Sequence, residues 1–190
     1  NAEYSTWGAW AMGSPDISPN AGDQNAAVHL GFWVAGDMLD QSEIPTSGSA
    51  SMSGKAVFNV AYRHNQANSD YGVTQYSSNA TVNGTFNWGS GSYSGQLDFT
   101  NFDSGNSLVS NAGFTSFSVS LAGSGATYAG SLNDTNNGWT REAVIAGALY
   151  GNNTPVESGG RISVGLSKSG SLGTSGANDF YMAEGIYLID

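Results

Sequence analysis

His29 and His64 are the chain's two histidines, and there is no cysteine, so side-chain ligation of zinc or a haem iron would centre on these two imidazoles. They stand on different segments with no neighbouring His or Cys at ligand spacing, and a zinc site would have to recruit carboxylates from elsewhere. Haem has the better setting: His29 lies beside Phe32 and Trp33, and Tyr62 precedes His64 by two residues. The plainer reading is one loop histidine and one half-buried histidine. No metal or cofactor is therefore assigned, with haem and calcium as the candidates. Calcium would fall to the Asp-rich stretches Asp16 to Asp23 and Asp37 to Asp40, whose spacing matches no EF-hand or glycine-rich nonapeptide.

Carboxylate chemistry fares no better. Asp98, Asp103, Glu142 and Glu184 could supply an acid–base pair for glycoside hydrolysis, but no pattern sets two of them face to face. Glu184 shares parity with Phe180, Met182, Ile186 and Leu188, so it reads as an acid on an apolar face, paired with Arg141 or Arg161 or placed at a barrel mouth, the buried salt bridge being preferred. No nucleophile elbow appears, and Gly123-Ser124-Gly125 lacks the Lys-Ser/Thr and the helix of a phosphate loop. The chain reads as a protein that binds and does not catalyse.

The elements that must position these residues are strands. Four segments repeat apolar–polar–Gly–polar–apolar: Met52 to Ala56, Val82 to Phe86, Tyr93 to Leu97 and Tyr128 to Leu132. In each, period 2 puts the glycine on the apolar face, where it weakens a strand unless the sheet must coil tightly, as in a closing barrel. Alternation runs from Ala50 to Tyr62 and from Ala80 to Trp88, and resumes at Tyr93 after the turn Gly89 to Ser92, which makes a hairpin. Further strands are expected at Phe117 to Leu121, Tyr128 to Leu132, Trp139 to Tyr150, Ile162 to Leu166 and Phe180 to Ile189. Loops are expected at Asn133 to Gly138 and Ser167 to Ala177, and Thr140 to Ala148 is ambiguous between helix and strand. The expected fold is all-β: an eight-stranded antiparallel up-and-down barrel over residues 49–190, preceded by an N-terminal extension over residues 1–48. The outward positions carry Ser, Thr, Asn, Gln and Lys, the reverse of a lipid-facing barrel, so the barrel is expected to be soluble.

The extension holds Trp7, Trp10 and Trp33, three of the five tryptophans, and reads as two strands joined by a long loop and packed on or capping the barrel. These rings either form an exposed hot spot for a protein partner or a sugar-stacking platform, or plug one end of the barrel; the plug is the preferred reading. Fifteen acids against five bases give a net charge of −10, with the bases scattered, which disfavours nucleic acid and anionic membrane. Zero cysteines in an exported chain suits a bacterial source. No apolar run is long enough for a membrane helix, and Asn1-Ala2-Glu3-Tyr4 carries no signal-peptide regions, so a signal was removed or the chain is a module of a longer one.

At Tyr150-Gly151, followed by Glu157, Gly159 and Gly160, the chain resembles the end of the barrel domain of the transferrin-binding protein B-like family of bacterial surface proteins. The resemblance covers residues 48 to 190, and there a Tyr-Gly turn is followed by a Glu and a Gly-Gly pair that open the penultimate strand. It implies a structural role for these five residues, with Glu157 accepting hydrogen bonds from turn amides. It also implies an exported, cell-surface or secreted binding module that captures a protein or small ligand through its loops. The lipidated cysteine of family members is absent from this sequence, and the transferrin-specific role is not carried over. Two alternatives stand beside it: a structural subunit or terminal domain of an adhesin or extracellular filament, where the chain contacts itself, and a haem or iron carrier.

Overall fold

The computed structural model describes residues 3–14, 27–63, 74–172 and 177–190. Eight strands close into one antiparallel barrel, and two earlier strands form a separate two-stranded sheet, hereafter the ribbon. The ribbon is β1 (Ser5–Ser14) and β2 (Ala27–Gly36). The barrel wall runs β3 (Ser49–Arg63), β4 (Thr74–Trp88), β5 (Tyr93–Thr100), β6 (Ser116–Ser124), β7 (Thr127–Asn136), β8 (Trp139–Gly151), β9 (Pro155–Leu172) and β10 (Ala177–Ile189). Each strand pairs with the next, and β10 returns to β3 along the register Phe180↔Arg63 to Ile189↔Gly54. Closure leaves the wall without a free edge strand.

Period 2 placed the inner faces of β3 to β6 correctly. Met52, Ala56, Phe58 and Val60 of β3, Val82 and Phe86 of β4, Leu97 and Phe99 of β5, and Val119 and Leu121 of β6 are all buried in one core. Opposite them Thr81, Asn83, Thr85 and Asn87 are exposed, so on this side the oily lining faces inward and the amide and hydroxyl coat outward. The glycines on the apolar face have a concrete geometric reason. A Cβ on Gly54 would come within 2.1 Å of the Leu188 carbonyl oxygen, on Gly95 within 2.4 Å of that of Thr85, and on Gly130 within 2.2 Å of that of Ser120. At these points the wall bends so sharply that one strand's backbone occupies the space of its neighbour's side chain. Gly84 differs, since it makes room for the Ile189 side chain.

Several element boundaries depart from the sequence expectation. Asn133 to Asn136 continue β7, and only Asn137-Gly138, both at positive φ (52° and 77°), make the turn into β8. An Asn-Gly pair in that conformation is a two-residue hairpin loop. The ambiguous stretch Thr140 to Ala148 is strand. β9 starts at Pro155 and reaches Leu172, well beyond the short strand expected, because serines and glycines fill its ladder where its side chains add no apolar signal. A short helix, α1 (Ser107–Asn111), was not anticipated; Asn106 caps it by accepting the Leu108 amide at 2.8 Å.

The connection carrying α1 closes one barrel end with Phe102, Leu108, Val109 and Phe114, all fully buried. Phe102 stands edge-on to Phe58 with centroids 4.8 Å apart, and Phe114 stacks on Phe117 at 4.2 Å. Strands β6 and β7 pair only from Leu121↔Gly130 to Ser124↔Thr127, and below that point side chains take over from the ladder. Arg141 clamps Asp134 (2.5 Å), donates to the carbonyls of Ala112 and Gly113 and lies 5.5 Å over the Phe114 ring. That guanidinium holds the Asp134 carboxyl below its ordinary pKa. Around the other end, Leu39 and Ile44 join the core beside the 3-10 turn Gln41–Glu43.

Gly130→Ala is expected to cost about 1–3 kcal/mol in urea unfolding, since the new Cβ strikes a backbone oxygen that cannot move aside. Gly105→Ala, with open space around its Cβ, is expected to stay within about 0.5 kcal/mol of the parent.

Candidate functional site

The three tryptophans of the extension do not plug the barrel. Trp7, Trp10 and Trp33 are 49%, 51% and 45% exposed, and the barrel ends are filled by the phenylalanines and aliphatics described above. Register explains the tryptophans' positions. Trp33 pairs with Gly8 and Trp10 with Gly31, so both rings lie on one ribbon face, each flat across a glycine of the facing strand. A Cβ on Gly8 would meet the Trp33 ring at 2.5 Å, and on Gly31 the Trp10 ring at 2.2 Å. Cross-strand covering of a bare glycine by an aromatic ring holds both parts in place. The result is a two-indole platform facing away from the barrel.

The opposite ribbon face, with Trp7, Val34 and Phe32, sits on the outer wall of β8, β9 and β10. Of the Tyr150–Gly160 signature, Tyr150, Glu157 and Gly159 touch the ribbon or its lead-in, and Gly151 and Gly160 shape the strands that carry them. The Glu157 carboxylate, 3% exposed, accepts the Tyr4 amide at 3.0 Å and also bonds the Glu3 amide and the Ser5 hydroxyl. Its partners are thus the lead-in to β1 and not the turn amides expected from sequence. Gly159 lies beneath Val34, whose Cγ1 would be 3.0 Å from an added Cβ. Gly160, paired with Gly147, leaves room for the Tyr187 hydroxyl, which an added Cβ would meet at 2.8 Å. Gly151 closes the β8–β9 turn against the Thr154 carbonyl, and Tyr150 packs against Gly36 and, through its backbone, bridges Met38.

Because the ribbon covers this wall, its outer positions are small or apolar: Ala146, Ala148, Gly159, Ile186 and Leu188. That corrects the expectation for Glu184. The inner face of β10 is Tyr181, Ala183, Gly185 and Tyr187, and Glu184 is exposed on the outer face, where it accepts the Ser163 hydroxyl at 2.6 Å. Arg141 is engaged by Asp134, and Arg161 forms no ion pair among the described residues. The apolar character of Ile186 and Leu188 on this face reports the docked ribbon and not the barrel interior.

Two shallow grooves flank the ribbon. One, of about 350 Å³, is lined by Phe32, Trp33, Ala146, Tyr150, Arg161 and Ile186 among others. The second, of about 230 Å³, is lined by Trp7, Lys55, Val57, Ile186, Tyr187 and Leu188.

The remaining sequence candidates are not brought together. His64 and Asp16 to Asp23 lie outside the described residues, and of His29 only the backbone, paired with Met12, is described. Asp98 and Glu142 are on the outer surface, bonded to Gln96 and Ser118 and to Asn133 respectively. Among the described residues no three His, Asp or Glu gather at metal-binding distance.

Sequence reading missed two buried polar networks inside the barrel. Asp103, at a positive φ of 39°, accepts the hydroxyls of Tyr181 (2.9 Å), Ser78 (3.1 Å) and Tyr76, and Asn106 donates to Tyr76 at 2.8 Å. Burial first and the neighbouring carboxylate second push the Tyr76 and Tyr181 hydroxyls well above their ordinary pKa. Nearer the middle, Tyr187 donates to Tyr128 at 2.7 Å and Tyr128 meets Ser158 at 2.5 Å. Burial pushes Tyr128 up to about 12, with the two hydrogen bonds opposing it. The parity of Tyr76 and Ser78 with Val82 is the signal that places them inside. Each hydroxyl has its partner within the barrel, so these networks read as internal packing with its polar groups satisfied.

Two outcomes are expected. Asp103→Ala should lower stability by about 2–4 kcal/mol in denaturant unfolding, because it strands buried hydroxyls. For Glu157, burial raises the pKa but the hydrogen bonds from Ser5 and the amides of Glu3, Tyr4 and Ser5 outweigh it and hold it below the ordinary 4.5. Its contribution is therefore complete above that ordinary value and lost as pH falls through the lower folded one. Tryptophan fluorescence should report the ribbon loosening in that acid range, and Glu157→Gln should show the loosened spectrum already at neutral pH.

No family model matches the chain, and no curated protein matches it. Among solved structures it is similar to two crystal structures of the vaccine antigen Transferrin Binding Protein B from Haemophilus parasuis Hp5, a double mutant (TM-score 0.48) and a single mutant (TM-score 0.44). Each is 13% identical, and the match covers 100% of this chain and 33% and 34% of theirs, so the chain spans about a third of the length of those proteins.

Proposed function

We propose that this chain is an exported bacterial module, cell-surface or secreted, that captures a protein partner through the tryptophan ribbon. The observation that carries it is the pair Trp10 and Trp33, each laid across a glycine and half exposed on a ribbon face turned from the barrel. Indoles held rigid at low conformational cost are what binding hot spots are made of. A barrel interior packed with aromatic rings favours surface capture over carriage of a ligand inside. The sequence reading gave this role to the loops and the extension, and the ribbon is that extension.

Export and a bacterial source are what the resemblance at Tyr150 to Gly160 implies, and the cysteine-free, acidic composition accords with them. One feature favours the structural alternative as a second reading. Among the described residues β1 and β2 pair only with each other, so the ribbon has open edges to which a second copy's strand could add.

The test immobilises the chain, exposes it to host serum and to cell-surface extract, and identifies saturably bound protein by mass spectrometry. Trp10→Ser/Trp33→Ser is expected to weaken the captured partner roughly 30-fold, about 2 kcal/mol, with unchanged thermal stability. Equal capture by the variant overturns the proposal. Concentration-dependent filaments in light scattering, abolished by the same variant, would hand the ribbon to self-assembly instead.

A further inference from the structure

Neither ribbon strand, Ser5–Ser14 or Ala27–Gly36, contains an aspartate, glutamate, lysine or arginine, although the chain carries a net charge of −10. A charged partner segment would find no counter-charge here and would lose hydration, so the surface matches a segment that is neutral as well. Register places Thr6, Gly8, Trp10, Gly31, Trp33 and Ala35 on the outward face. The two indoles supply most of its apolar surface. Only the Thr6 hydroxyl and the indole N–H groups offer side-chain hydrogen bonds there.

Register also fixes the spacing of the rings. Each stands where a side chain of the facing glycine would be, Trp33 over Gly8 and Trp10 over Gly31. Gly8 and Gly31 are one strand apart and two residues offset, which from standard sheet spacings separates the ring positions by about 8 Å. A polyproline II helix rises about 3.1 Å per residue with three residues per turn, so prolines at i and i+3 stand on one side about 9 Å apart. Its backbone makes no internal hydrogen bonds, so its carbonyls are open to indole N–H donors, and it loses little conformational freedom on binding. The rings meet the same condition, each held by the glycine it covers.

We propose that Trp10 and Trp33 receive a neutral, proline-rich segment of a partner protein in the polyproline II conformation, with one proline ring stacked on each indole. A glycan is the weaker fit, because the described side chains of this face include no carboxylate, amide or guanidinium to take its hydroxyls. A bilayer surface is weaker too, because the ribbon has no lysine or arginine for the lipid phosphates. The inference rests on the ribbon's being a capture surface for protein and adds what kind of segment it selects.

The test titrates the intact chain with the blocked peptide Ala-Pro-Pro-Ala-Pro-Pro-Ala and its Ala-Ser-Ser-Ala-Ser-Ser-Ala counterpart, read by indole N–H shifts in NMR and by tryptophan fluorescence. The proline peptide is expected to bind roughly tenfold more tightly, at low salt and at about 0.5 M salt alike, with the largest shifts at Trp10 and Trp33. Trp7→Phe, on the other ribbon face, should keep that preference, and Trp10→Ser/Trp33→Ser should lose it. The comparison of the two peptides on the parent chain does not depend on how the variants fold. Equal binding of the peptides, no shift at several millimolar peptide, or a preference that survives in the double variant would each overturn the proposal. So would phosphatidylcholine vesicles or a neutral oligosaccharide that bind through the two indoles where the proline peptide does not. A partner captured through Trp10 and Trp33 but not displaced by the proline peptide overturns this inference alone, whereas equal capture by Trp10→Ser/Trp33→Ser overturns the capture surface itself.

Discussion

The Glu157 carboxylate decides where the ribbon can be. It is buried at the start of β9 and accepts the hydroxyl of Ser5 and the amides of Glu3 and Tyr4, more than 150 residues earlier in the chain. A buried carboxylate left without donors is costly, so these bonds offset its desolvation and at the same time fix the orientation of β1. Everything on the ribbon follows from that orientation. One face must lie on Gly159, Ile186 and Leu188, and the other must present Trp10 and Trp33 to water.

The signature around Tyr150 to Gly160 is then intelligible as a docking seat, made by Tyr150, Glu157 and Gly159, with two glycines that shape the strands behind it. Each of its residues answers a contact: Tyr150 against Gly36, Gly151 against the Thr154 carbonyl, Glu157 on the β1 lead-in, Gly159 under Val34, Gly160 beside the Tyr187 hydroxyl. A side chain at Gly159 would lift the ribbon, and one at Gly160 would press on the Ala146 carbonyl at 2.3 Å. The barrel is bent sharply at some glycines and dented for the ribbon at others, and the same residue type serves both ends.

What the sequence alone could reveal follows the range of the interactions involved. Strand faces from β3 to β7 were legible because alternation is local and one side is wet. β10 misled because it is apolar on both faces, one lining the barrel and one under the ribbon, so Glu184 was placed on the wrong side. Five residues at Ser107–Asn111 are too short to show helical periodicity, and only the Asn106 cap hints at them. The fate of Trp7, Trp10 and Trp33 was out of reach, since exposure or burial depended on which ribbon face Glu157 turns inward.

The seam between β3 and β10 carries a kinetic consequence. The first wall strand finds its second partner only in the last, so the cylinder stays open until nearly the whole polypeptide is available. Such non-local pairing makes folding slow compared with chains whose contacts are mainly local. A slow-closing chain leaves sticky strands uncovered meanwhile, where a holding chaperone would have its grip.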